Sequence, residues 1–207
     1  MTLIKEAALA LLLAATHEVP AGSDLAAALA RVRPGDTVRL GAGEHHGTLG
    51  RLSGVTVSGA GAGATTVLAP EGEDGAVATG DVALSGLSLR AGPARCALKV
   101  LGGTARLDGV ALAGGTCGAF ADGGRLEGRD VDLSGDYGLL LQGGAVALDG
   151  GSARGATAGV GIVGGSATLR RLAITGPARE GGLSVAGGSA ALEGVVIRAP
   201  GPTGISV

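Results

Sequence analysis

The chain has 207 residues, of which 43 are glycine, with one Phe (Phe120), one Tyr (Tyr137), no Trp and a net charge of −2. Without a basic stripe or aromatic platforms for bases, nucleic-acid binding is not expected. No apolar run reaches the roughly 18–20 residues of a membrane span, and glycine this abundant without a triplet period is not collagen.

Hydrophobic residues make up 45% of the chain and aromatics 1%. One sizeable domain is expected. Its core must come from Ala, Val, Leu and Ile, in a scaffold narrow enough for small side chains to fill.

Residues 1–20 read as a signal peptide or an N-terminal cap. Lys5 precedes the apolar run Ala7–Ala15, and small residues near Ala15 and Thr16 fit a cleavage site. Glu6 and the imperfect Leu13–Ala14–Ala15 site favour the other reading, a helix covering the end of the domain. Export is the expectation taken forward.

Ser23 or Asp24 can cap a short helix that carries Leu25, Leu29 and Val32 on one face. Pro34 and Gly35 end it. Thr37–Leu40 alternates as a strand, Gly41–Gly47 breaks it, and Val55–Gly59 forms another before GAGAG.

This opening, DLAAALARVRPGDTVRLGAGEHHGTLGRLSGVTVSGAG from Asp24, resembles that of right-handed parallel β-helix proteins of the pectate-lyase-like superfamily. In that superfamily a short helix caps the first coil and PGDTV-type and GxGxG-type turns follow. The resemblance runs from Asp24 to the end; it speaks for the fold and not for an activity.

Downstream one unit recurs: GGTARLDGVALA at Gly102–Ala113, GGAVALDGGSAR at Gly143–Arg154, GGSATLRRLAIT at Gly164–Thr175 and GGSAALEGVVIR at Gly187–Arg198. GGRLEGRDVDLS at Gly123–Ser134 is a degenerate copy, and GDVALSGLSLRA at Gly80 a more distant one. Units begin near Cys96, Cys117, Gly138, Gly159, Gly182 and Gly204, so coils run 21 to 23 residues. Such a period means a stacked solenoid, and the period-2 alternation means strands. Leucine-rich repeats are rejected because the chain has no Asn for their ladder.

The expected fold is therefore all-β. It is a single-stranded right-handed parallel β-helix of about seven coils over residues 21–207, with a short N-terminal capping helix and an uncapped C-terminal end. The stop at Gly204–Val207 fits a fragment of a longer protein or self-association through the C-terminal coil.

Stacking at about 4.8 Å turns equivalent residues into ladders. Asp108, Arg129, Asp149, Arg170 and Glu193 form one that alternates in sign, with Arg106 and Glu127 beginning a neighbour. Alternation removes like-charge repulsion and helps set register, although each exposed pair contributes only about 0–1 kcal/mol. Most carboxylates on this face are thereby accounted for as ladder members.

GVGIVG at Gly159–Gly164 matches GxGxxG but is a rung that reads GLSVAG one coil later, so no dinucleotide is expected. Glu44, His45 and His46 lack further ligands, and no metal site is expected there. No cofactor is expected either; Glu71, Glu73 and Asp74 could hold Ca²⁺, against the plainer reading of a solvated loop. Cys96 and Cys117 stack on adjacent coils within disulfide range. They are either a bridge, if the chain is exported, or two stacked thiols.

The candidate site comes from position. Lys99, Phe120, Leu140 and Ser184 point outward from the first strand of each coil. Asp122 and Gln142 lie just beyond it, and Arg95, Asp136, Tyr137, Arg179 and Glu180 lie in the turns leading in. The only Phe, the only Tyr and the only Lys outside the leader fall here.

The resemblance implies a polysaccharide cleft along such a face. A lyase would cast Lys99 as the base and Arg95 as the cation that neutralises a uronate carboxylate. Phe120, Asp122, Asp136, Tyr137, Gln142 and Arg179 would bind substrate. Asp130 and Asp132 fall on the ladder side and do not make a hydrolase, and pectin methylesterase-like motifs are not visible. The leading expectation is an exported, non-catalytic module that binds polysaccharide or serves as a scaffold. The alternative is a lyase acting on uronate polymers by β-elimination.

Overall fold

The computed structural model describes residues 14–176, 179–198 and 204–207. The apolar run of the leader reading lies almost wholly outside them. The chain winds into a parallel β-helix in which each strand pairs with its equivalents on the adjacent coils, the first and last strand of each face on one side only.

Each coil presents three faces. The first face stacks Gly50–Leu52, Ala76–Ala78, Cys96–Val100, Cys117–Ala121 and their successors up to Ile205–Ser206. The second runs from Thr16–Val19 and Thr37–Leu40 up to Ser189–Glu193. The third runs from Gly43–His46 to Val196–Arg198. In two coils the strand bends round the corners unbroken, as Arg125–Leu141 and Ala145–Ile162.

The second face holds nine rungs among the described residues, so the sevenfold count from sequence is two short. The missed coils are the early ones, which lack the Gly-Gly signature. Thr16–Val19 is itself a rung, paired residue for residue with Thr37–Leu40. Gly41–Gly47, expected only to break a strand, contains the third-face strand Gly43–His46.

Helix α1, Leu25–Leu29, packs over the first coils and buries Leu25. Asp24 is its N-cap and accepts from the Ala27 amide at 3.0 Å.

The core is a column of inward ladders. Val38, Val57, Leu84, Leu107, Gly128, Leu148 and Leu169 succeed one another on the second face, and all the leucines and valines among them are buried. Replacing one such leucine by Ala typically costs about 2–5 kcal/mol. Gly128 interrupts the run, and Leu148 Cδ2 and Val131 Cγ2 lie 2.7 and 2.8 Å from where its β-carbon would stand.

From the coil of Val82–Ser85 onward, the corner between the second and third faces takes a left-handed residue. Gly86, Gly109, Asp130, Gly150, Arg171 and Gly194 supply it, with φ between 48° and 83°. Glycine adopts this conformation without a β-carbon penalty and Asp tolerates it. Arg171 is the costlier choice, and its guanidinium reaches Asp149 at 2.6 Å.

The expected charge ladder is present in register. Asp108 opposes Arg129, then Asp149, Arg170 and Glu193 in turn. It also extends downward through Ser85 and Ser58 to Arg39 and Glu18. Like charges are never neighbours in this row.

Candidate functional site

The outward row of the first face reads Arg51, Val77, Lys99, Phe120, Leu140, Gly161, Ser184, Ser206. Lys99, Phe120, Leu140 and Ser184 therefore stand in one line, as their alternation predicts. The remaining candidates fall around it in separate groups.

Lys99 is engaged. Its Nζ lies 2.8 Å from Asp74 Oδ2, with both side chains more buried than exposed. The other Asp74 oxygen accepts from the Cys96 amide at 3.0 Å. Asp74 thus ties the Glu71–Asp74 loop to the next coil, and its oxygens are committed to protein donors. Glu71 and Glu73 are exposed. Arg95 is exposed in the turn that enters the Lys99 strand.

Cys96 and Cys117 are disulfide-bonded across adjacent coils, with α-carbons 4.6 Å apart. The bond staples the first face where Lys99 and Phe120 sit.

Asp136 and Tyr137 lie in a strand, Arg125–Leu141, and not in a turn; Asp136 is exposed, and Tyr137 stands directly above Cys117. Burial pushes its phenol above the ordinary pKa of 10.0, and the neighbouring carboxylates of Glu180 and Asp136 push it further. Tyr137, Phe120 and Leu140 form a half-buried apolar ridge on the first face. Arg179 is exposed beside Glu180, its amide bonded to the Ala156 carbonyl. Asp122 and Gln142 are exposed on successive coils at the far corner of the strand. The arrangement is a ridge with charged margins.

GVGIVG is explained by packing. A β-carbon on Gly159 would meet Ile174, one on Gly161 would lie 2.9 Å from the Tyr137 ring, and one on Gly164 would meet the Gln142 carbonyl. The spacing reflects close approach between coils.

Glu44 and His46 point outward and His45 inward. His45 is fully buried, with Nε2 2.9 Å from the Gly41 carbonyl and Nδ1 without a partner. Among the described residues no three of His, Cys, Asp and Glu gather as a metal-ligand set. No helix among them is long and apolar enough to cross a membrane.

Sequence reasoning did not single out the third face. A cleft of about 300 Å³ opens there between Arg90 and Arg154, with Ala111, Ala113 and Ser134 on its floor and Asp132 beside them. Arg90, Ala113, Ser134, Arg154, Thr175 and Arg198 are successive members of one outward row. The three arginines of this row are exposed, and none has an ion-pair partner within 4.0 Å among the described residues. They are more than 40 residues apart in sequence, and only the coil register brings them into line.

No family model and no curated protein matches the chain. Among solved structures it is similar to the pectin methylesterase PemA from Erwinia chrysanthemi, with a TM-score of 0.55 and 13% identity over 79% of this chain and 66% of that one. The chain thus spans just under two thirds of that protein's length, and the likeness is one of fold.

Proposed function

We propose that the chain is an exported, non-catalytic β-helix module that binds polysaccharide or serves as a scaffold for assembly. The observation that carries this reading is the Lys99–Asp74 pair at 2.8 Å. A β-eliminating lyase needs a basic group free to take the proton beside a uronate carboxylate. Lys99 Nζ is instead paired with a carboxylate that also anchors the chain through the Cys96 amide. On the second face the acidic groups stand in charge ladders, where Arg125 and Arg106 hold the Glu127 carboxyl below its ordinary range.

The disulfide supports export, since such bonds persist in oxidising compartments. The similar structure's name, a pectin methylesterase, supports a carbohydrate setting by fold-level analogy alone.

The alternative is a lyase with Lys99 as base and Arg95 as the neutralising cation. It draws on their placement at the strand Cys96–Val100 and the turn entering it. Incubation with uronate polymers, followed by absorbance of unsaturated ends, separates the two. The module reading expects none above background. Turnover abolished by Lys99→Ala would replace it with the lyase.

A further inference from the structure

We infer that the third face carries a binding site for an acidic oligosaccharide, laid along the helix axis between Arg90 and Arg154. This rests on the reading of the chain as a polysaccharide-binding module, and it moves the site away from the Phe120–Tyr137 ridge.

Charge is the first argument. On the second face, arginines stand next to carboxylates coil after coil, so that face is internally neutralised. The Arg90 row contains arginines and small neutral residues only from Arg90 to Arg198, and its guanidiniums have no protein partner within 4.0 Å among the described residues. Unpaired, exposed guanidiniums in one line suit carboxylate or sulfate groups, which they bind through paired N–H donors.

Shape is the second. Arg90 and Arg154 are three coils apart, about 14 Å at a coil rise of about 4.8 Å. Between them Ala111, Ala113 and Ser134 keep the floor low, and this is what opens the cleft. A second concavity, of about 480 Å³, shares Arg90 and Ala113 and lies at the corner that follows these strands in the same two coils, so the cleft opens laterally at its Arg90 end. An elongated ligand fits this outline better than a compact one.

The third argument is the carboxylate within the groove. Asp132 accepts from the Ser152 hydroxyl at 2.7 Å and remains exposed. A ligand that is only a polyanion would be repelled by it. A glycan brings hydroxyl donors that Asp132 can accept and acid groups that the arginines can take. The absence of an aromatic side chain from the groove lining argues against single-stranded nucleic acid, which stacks on aromatic platforms.

The test is titration of the full chain with fluorescent alginate oligomers, alongside neutral dextran, poly-glutamate and oligo-dT. Binding is expected for alginate, weakening with salt. Arg90→Ala and Arg154→Ala should each lower affinity roughly tenfold, the usual loss for a charge-assisted hydrogen bond. Arg129→Ala, which removes the same charge from the second face, should change it less than twofold. Asp132→Ala should weaken alginate and strengthen poly-glutamate. Unchanged circular dichroism shows that the variants fold.

Glycan binding that ignores Arg90 and Arg154 but falls with Tyr137→Ala overturns this site and leaves the module reading standing. Silence toward every glycan overturns this site and the polysaccharide-binding reading, and leaves the scaffold reading standing. Oligo-dT binding tighter than alginate, lost with the same arginines, replaces the glycan with nucleic acid.

Discussion

The Cδ1–Cε1 edge of Tyr137 occupies the space that a β-carbon on Gly161 would need, at 2.9 and 3.0 Å. One coil's only tyrosine is thus seated on the next coil's missing side chain. Tyr137 is the sole tyrosine and there is no tryptophan, so intrinsic fluorescence and phenolate absorbance report this contact alone.

The phenol should ionise above pH 10.0 in the folded protein, because burial and then Glu180 oppose the phenolate. Its folded pKa is raised, so its contribution to stability is complete below the unfolded value and is lost as pH rises through the folded one. Glu180→Gln should move the midpoint down toward 10. Gly161→Val should displace the ring, returning the midpoint to that of free tyrosine and changing the emission. An unmoved midpoint in Gly161→Val would refute the contact.

Asp36 clamps the first coil. It accepts from the Ala15 amide at 2.8 Å and the Arg33 amide at 2.9 Å, and lies 3.0 Å from His17 Nε2. These donors, led by the Ala15 amide, hold its carboxyl at about 2 instead of 3.8. The folded state therefore favours the carboxylate, whose stabilisation is present above pH 3.8 and is lost as pH falls through about 2. Amide exchange of Thr16–Val19 should accelerate across that window before the rest of the stack opens. Asp36→Asn should exchange fast at every pH, with no step. First-coil protection that persists in Asp36→Asn would show that the clamp is idle.

The disulfide closes a loop of 21 residues, one coil of the stack. In the chain-entropy account such a closure stabilises by about 3 kcal/mol. Cys96→Ser with Cys117→Ser should lower the unfolding free energy by that amount in urea, with an m-value that rises as the uncrosslinked denatured chain expands. A loss below about 0.5 kcal/mol would mean that stacking alone already holds these coils, leaving little of the chain-entropy effect.

Much of the fold was legible because a solenoid writes its geometry into the chain once per coil. The alternation at Leu98 and Val100 and the Gly pair that follows recur often enough to give strand, turn and register together. The ladder from Asp108 to Glu193 could be read residue by residue, since one period separates each rung from the next. The early coils were harder. Gly43–His46 contains two adjacent histidines and no aliphatic pattern, yet pairing with Thr65–Leu68 makes it a strand.

The candidate site was legible as a row and not as a constellation. Alternation places Lys99 and Phe120 on the same outward line. It says nothing of a carboxylate 25 residues earlier in sequence that folds back onto the lysine. Asp74 does so because its loop bridges two coils, a contact across the period that no repeat records. The sequence reads as a turn at Tyr137 because the strand is bent there, where the register shifts between Gly135 and Tyr137.

By itself, then, the sequence determined the coil, its inward side chains and the partners along each ladder, because these depend on periodicity and nearest-neighbour stacking. The tertiary structure alone decided which charges remain free. The Lys99–Asp74 pair and the unpaired line from Arg90 to Arg198 depend on where turns of unequal length carry side chains across the surface. That is a property of three-dimensional distance, and a one-dimensional repeat does not encode it.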